Sequence, residues 1–422
     1  MIDRRSFIQA SAVAIGNTAI ATPDPELSDT VSIPAVIRAL KPMTADIVPI
    51  TDDERRARME RARKLMVDNG FDALFIEPGT TMSYFTGVTW GTSERMFALV
   101  LPARGEPAFI CPGFEEARAR EVIRFSSDIR LWQEDDNPGQ YVVQAIRDRG
   151  LRGGRIGIEQ RARFFLADLI HNAAPAMEQQ IADVVTVGCR MIKSPAELAL
   201  LQKANEITLA AMKAAFATMK EGMTQDELGA NVAAAYRALG VPNHHATPQF
   251  GIYSAYPHGS KEPQRLRQGD VVLLDDGIAI EGYISDITRT TVFGKPSDRQ
   301  RQVWDLEKKA QQAALAAAKV GVPCEAIDAA ARKVITDAGF GPGYKVPGLP
   351  HRTGHGIGMD GHEAPNLVKG NTQPLLPGMC FSDEPMIAIY GEFGIRLEDC
   401  WHMTDNGPVT FTPLSPSIEV PV

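Results

Sequence analysis

Val271-Val272-Leu273-Leu274-Asp275-Asp276-Gly277 runs an apolar stretch straight into two acids, and Ile284-Ser285-Asp286-Ile287-Thr288 follows shortly after it. The first stretch reads as a buried strand and the second as its returning partner, with Glu281-Gly282 in the turn. A tight turn about Ile280–Glu281 makes the numbers of facing residues sum to 561, which sets Asp275 opposite Asp286. Directly opposed side chains hold their Cβ atoms about 4.5–5.5 Å apart, where like charges repel. Two carboxylates so placed call for a proton or a cation between them.

The device recurs downstream. Glu384 and Glu398 flank Tyr390-Gly391-Glu392, and their numbers sum to 782, which centres a second hairpin on Gly391. The helices before each hairpin repeat as well. A shift of 99 residues carries Gly222 onto Gly321, Asp226 onto Glu325, Leu228 onto Ile327 and Gly240 onto Gly339. A shift of 109 carries Gly269 onto Gly378 and Asp275 onto Glu384. Two copies of helix–helix–strands in the same order predict an α+β domain with an internal pseudo-twofold duplication.

Four carboxylates converging in one core are prohibitive without divalent metal. A fifth donor is at hand in Gly354-His355-Gly356-Ile357-Gly358, where glycines permit sharp turns and close approach around the imidazole. Four carboxylates and one imidazole suit two first-row divalent ions about 3.5–4 Å apart, which make hydroxide available at neutral pH. Oxygen-rich ligation favours manganese, with cobalt, iron or zinc as alternatives.

Outward from this core, Ser194-Pro195-Ala196-Glu197 is a capping box with proline at the first helical position. A long helix is expected from there to Lys220, then a second from Thr224 to Gly240, and, one repeat later, Asp298–Val320. The domain boundary falls at Ile192–Pro195, so residues 193–422 form the catalytic domain. Residues 51–192 alternate strand and helix signals, beginning with the charged helix Asp52–Asn69, and read as an α/β N-terminal domain. Residues 22–50, rich in Pro, Thr and Asp, read as an extended lead-in. Residues 1–21 pair Arg4-Arg5 with a weakly apolar run ending Ala19-Ile20-Ala21, which resembles a twin-arginine signal peptide. Such a signal implies export of a folded, metal-loaded protein to the periplasm; without it the protein stays cytoplasmic. The run is too short and polar to span a bilayer, so no stable membrane insertion is expected.

Composition narrows the classes further. The chain has 422 residues, 44% hydrophobic and 23% charged, which excludes a disordered protein. Its formal charge of −8 offers no whole-chain basic field for nucleic acid. The five cysteines are scattered with no CxxC pair, so neither a zinc knuckle nor a dithiol redox site is written here. Gly339 to Lys345 lacks the spacing of a phosphate loop and reads as a turn.

Asp275, Asp286, His355, Glu384 and Glu398 resemble the five ligands of the pita-bread dinuclear metallopeptidases, which include methionine aminopeptidase, aminopeptidase P and prolidase. The flanking text resembles that family too: Gly282 to Thr290, His351-Arg352-Thr353-Gly354-His355-Gly356-Ile357-Gly358, and Gly394-Ile395-Arg396-Leu397-Glu398-Asp399. The two-domain layout is most similar to aminopeptidase P, prolidase and creatinase. The resemblance implies that Asp275 binds one metal, His355 and Glu384 the other, and that Asp286 and Glu398 bridge. It makes Glu384 the proton acceptor for the attacking water and places Arg396 behind the ligands. His362 matches the histidine that stabilises the tetrahedral intermediate, while His258 and His351 match further substrate-side histidines. The implied protein is a homodimer that hydrolyses the Xaa-Pro bond of dipeptides or short peptides. Aminopeptidase P activity on longer peptides, or a lyase or hydrolase of small molecules on the same metal scaffold, are the alternatives. One departure stands out: proline-specific relatives often carry Tyr four residues after the first metal-binding Glu, where this chain has Ala388 and then Tyr390 two residues later.

Overall fold

Glu281 and Gly282 both adopt positive φ, 49° and 86°, and form the tight two-residue turn that this geometry favours. In the computed structural model, which describes residues 33–151 and 154–422, that turn sets the register of the central hairpin. The residues read as an export signal lie outside the described residues. Strand Val271–Ile280 pairs antiparallel with Tyr283–Ile284 and with Ile287–Val292, so that Asp275 faces Thr288 and Ile280 faces Tyr283. Facing numbers therefore sum to 563 rather than 561, because the turn is centred one residue later than expected. A shift of two preserves which face a side chain occupies. Asp275 and Asp286 become diagonal neighbours on one face instead of direct opposites.

The second hairpin keeps its expected register. Cys380–Asp383 pairs with Asp399–Thr404, and Met386–Ile389 with Phe393–Arg396, every pair summing to 782. Between the two ladders Glu384 and Glu398 turn to other partners. Glu384 N–H donates to the Thr353 carbonyl at 2.8 Å and Glu398 N–H to the Thr288 carbonyl at 3.0 Å. The latter bond stitches the two halves together beside the site.

Duplication extends to individual hydrogen bonds. Gly222 N–H donates to Leu266 and Gly321 N–H to Leu375, both at 2.8 Å, and Leu266 is 109 residues from Leu375. Helices Pro195–Phe216 and Gln225–Leu239 pack on the first set of strands, and Asp298–Ala317 and Cys324–Asp337 on the second. The two longer helices stop at Phe216 and Ala317, three or four residues short of the expected ends, because the chain must leave the helix to make those glycine pairings. Each half buries its own apolar core between helices and strands, with Leu274 and Tyr283 in one and Phe381 and Trp401 in the other.

The N-terminal α/β domain is a six-stranded mixed sheet flanked by helices, including Asp52–Asn69, closed by left-handed Gly70. Part of the lead-in departs from the extended reading. Ala35–Arg38 is helical, and Ile37 and Ile50 bury with Leu239 and other catalytic-domain residues. Apolar residues spaced through this segment find that surface, so it belongs to the second domain's core. Arg58 of the N-terminal domain donates to the Tyr283 hydroxyl at 3.0 Å, and Tyr283 donates to Glu197 at 2.9 Å, tying the domains at the hairpin itself. Among the described residues no helix is long and apolar enough to cross a membrane.

Candidate metal centre

Donor atoms of Asp275, Asp286 and Glu398 all lie within 4.8 Å of one another, and those of His355, Glu384 and Glu398 do the same. Glu398 belongs to both sets. Local backbone makes this approach possible: a Cβ at Gly277 would sit 2.1 Å from the Ser285 carbonyl oxygen, so only glycine lets the returning strand come close enough to deliver Asp286. Burial and the Asp275 charge push the Asp286 carboxyl up to about 8. Burial, with Asp286 and Glu384 nearby, also raises Glu398 well above the carboxylate range. Asp286 and Glu398 are thus both held back from ionisation in a cluster of four carboxylates that Arg396 alone does not balance. Divalent cations remove the conflict, and oxygen donors with one imidazole form a fitting ligand set.

His355 is arranged as a ligand. Its Nδ1 donates to the Gly356 carbonyl at 3.0 Å, which can only accept, so Nε2 is the ring nitrogen turned towards the carboxylates. Nε2 is 3.1 Å from Glu384 and 3.7 Å from Asp286. Burial opposes the Glu384 charge, but the hydrogen bond with His355 outweighs it and holds Glu384 well below its usual range. Behind the donors, Arg396 pairs with Asp275, and its Nε donates to Thr288 Oγ1 at 2.9 Å. The Thr288 hydroxyl in turn donates to Glu398 at 2.6 Å, so one arginine orients a donor of each set.

All nine residues singled out from the sequence line one cavity of about 1110 Å³. His362 stacks on His355 with ring centroids 3.9 Å apart. Arg352 Nη2 lies 2.9 Å from His362 Nδ1 and can only donate, so His362 keeps its proton on Nε2. Burial and the neighbouring His355 and Arg352 lower His362 to about 4, which keeps it neutral. His351, lowered by burial, donates from Nδ1 to the Arg352 carbonyl at 2.7 Å, leaving a buried Nε2 without a protein partner. His258 follows Pro257, whose carbonyl accepts from Arg396 at 3.0 Å. Ala388 is buried in the core and pairs with Gly394, while Tyr390 is half exposed with its ring beside Tyr256. Tyr344, from the stretch read only as a turn, does line the cavity.

The segment carrying His362 is held by Arg161 and Arg190 of the N-terminal domain together with Lys193 at the domain boundary. Glu363 receives Lys193 at 3.0 Å and pairs with Arg190, and Asp360 takes Arg190 at 2.7 Å and Arg161 at 2.9 Å. No local sequence signal announces this brace, because its two sides lie far apart along the chain. Arg352 was within the quoted motif, yet only its position against His362 reveals that it faces the cavity.

Residues 199–405 match the model of metallopeptidase family M24, and residues 58–192 match that of the creatinase/prolidase N-terminal domain. The Xaa-Pro dipeptidase of Lactobacillus delbrueckii subsp. lactis is 31% identical over 370 residues, covering 86% of this chain and 98% of that protein. Among solved structures, a recombinant prolidase from Thermococcus sibiricus superposes with a TM-score of 0.76 at 30% identity, covering 85% of this chain and 97% of the other. Dipeptidase PepE from Mycobacterium ulcerans gives 0.78 at 32% identity, covering 89% and 100%.

Proposed function

The chain belongs to metallopeptidase family M24, and from that premise we propose that it hydrolyses the Xaa-Pro bond of dipeptides in a prolidase-like reaction. The observation that carries this reading is the pair of donor sets sharing Glu398 at the floor of one histidine-rich cavity. Asp275, Asp286 and Glu398 would hold one divalent ion, and His355 and Glu384 the other, with Asp286 and Glu398 common to both. Bound there, two such ions supply Lewis acidity and a water nucleophile usable at neutral pH.

The protein's own groups do the rest. Glu384, kept ionised beside His355, takes the proton from the attacking water. His362, neutral with its proton on Nε2, offers a fixed donor where negative charge develops on the scissile carbonyl. His351 presents an acceptor at Nε2, and His258 stands on a backbone that Arg396 anchors.

Manganese is the proposed native metal, on the hardness of the oxygen donors. A homodimer and periplasmic delivery through residues 1–21 complete the proposal. Protein stripped by a chelator should lose hydrolysis of Ala-Pro and regain it on titration with Mn²⁺, reaching a plateau at two equivalents per chain. Full activity in the stripped protein would overturn the metal assignment.

A further inference from the structure

Gln311 is fully buried on helix Asp298–Ala317, beside Ala310 and Ala314 of the second core. A long polar side chain in that place is costly unless its amide is hydrogen-bonded. The packing itself does not require one. The shift of 99 residues that relates the two halves sets Gln311 on Met212, which is equally buried on helix Pro195–Phe216. The same shift sets Ala310 and Ala314 on Ala211 and Ala215, buried as well. The equivalent helix–strand contact therefore accepts an apolar side chain of similar length, in the half whose ligand candidates are aspartates.

The Gln311 amide reaches the backbone that carries the two glutamates. Its Nε2 donates to the Leu397 carbonyl at 3.2 Å and lies 3.5 Å from the Asp383 carbonyl. Those carbonyls belong to the peptide groups that lead into Glu398 and Glu384. Both stand where the hairpin ladder is interrupted, between the pairs Asp383–Asp399 and Met386–Arg396. The N–H of each peptide group is already tied, Glu384 to Thr353 and Glu398 to Thr288. Asp399 Oδ2 accepts from the same Nε2 at 3.0 Å, and Arg289 holds the other Asp399 oxygen at 2.6 Å. Three acceptors surround that nitrogen, which fixes the orientation of the amide.

We propose that Gln311 is a positioning residue of the metal centre: by gripping both peptide groups it sets the separation of Glu384 and Glu398, and with it the affinity of the site for its ions. The proposal rests on the two-metal reading and deepens it with a side chain that supplies no donor atom and does not line the cavity.

The test compares Gln311→Met with Gln300→Met. Gln300 lies on the same helix, and its amide serves the helix start and the Gly269 carbonyl, away from the ligands. Stripped protein is titrated with Mn²⁺ in competition with a chelating dye. Gln311→Met should bind its ions about 10–100-fold more weakly than the wild type, the usual effect of removing a partner behind a metal ligand. The visible spectrum of its Co²⁺-loaded form should shift as the donors move. Gln300→Met should keep wild-type affinity and spectrum while lowering the Tm of the stripped protein. If Gln311→Met does not fold, Gln311→Asn, which withdraws the amide by one methylene, carries the same expectation. Unchanged affinity on substitution of Gln311, or an equal loss in the Gln300 variant, makes Gln311 an ordinary core residue and overturns the proposal while leaving the two-metal reading standing. A wild type that binds no Mn²⁺ removes both.

Discussion

Glu398→Gln should reduce bound metal from two ions per chain to at most one and lower kcat/KM by at least about 1000-fold, since dinuclear chemistry contributes several kcal/mol to the barrier. Glu398 is the donor common to both sets, and amide nitrogen cannot replace its second oxygen as a ligand. The substitution keeps the side-chain volume, and the Thr288 hydroxyl can still donate to the amide oxygen. Without metal, Glu398 is already held back from ionisation, so the neutral amide of the same volume should leave the fold at least as stable. Metal content by atomic spectroscopy and Tm of the stripped protein separate these effects. Retention of two ions with near-normal activity would show that Glu398 is not the shared ligand.

Glu363→Gln should cost about 3–5 kcal/mol of stability, the usual consequence of breaking a buried ion pair. Lys193 is almost fully buried, and Arg190 is mostly so; both would lose their anion. Burial alone would raise the Glu363 carboxyl, but Lys193 and Arg190 override it and hold it at about 2, against an ordinary value of 4.5. Because the folded value is depressed, the stabilisation is complete above pH 4.5 and fades as pH falls towards 2. Linkage puts the loss at about 2 kcal/mol by pH 3. Denaturant unfolding of stripped wild type and variant should therefore show a gap that narrows by that amount between pH 7 and pH 3. A constant gap would mean that the charge on Glu363 does not brace the domains.

Legibility in the sequence followed how local the determining physics is. The second hairpin was readable to the residue, because Tyr390-Gly391-Glu392 centres its turn on a left-handed glycine. The first slipped by one turn position because Glu281 takes a positive φ that a non-glycine residue seldom adopts. Side-chain parity survived the slip, so the carboxylates still share a face. The duplication was legible because both halves need left-handed glycines at the same joints, Gly222 with Gly321 and Gly269 with Gly378.

What escaped was non-local. The burial of Ile37 and Ile50 depends on a surface formed by residues far downstream. Asp360 and Glu363 look like ordinary loop acids until Arg161, Arg190 and Lys193 are brought to them. Asp276 and Asp399, adjacent to ligand candidates, take no place in the cavity; Asp399 instead pairs with Arg289 at 2.6 Å in a fully buried contact. Strand alternation sends neighbouring acids to opposite sides, and only the partners on the far side show what each one does.

The most direct measurement is release of free alanine from Ala-Pro, Ala-Pro-Ala and Ala-Ala by the purified protein, stripped of metal and reloaded with Mn²⁺. Cleavage of Ala-Pro, with Ala-Ala untouched and Ala-Pro-Ala slow or inert, is the predicted result. Failure to cleave any of the three, in protein shown to hold two metal ions, would contradict Xaa-Pro hydrolysis and turn the search to small non-peptide substrates.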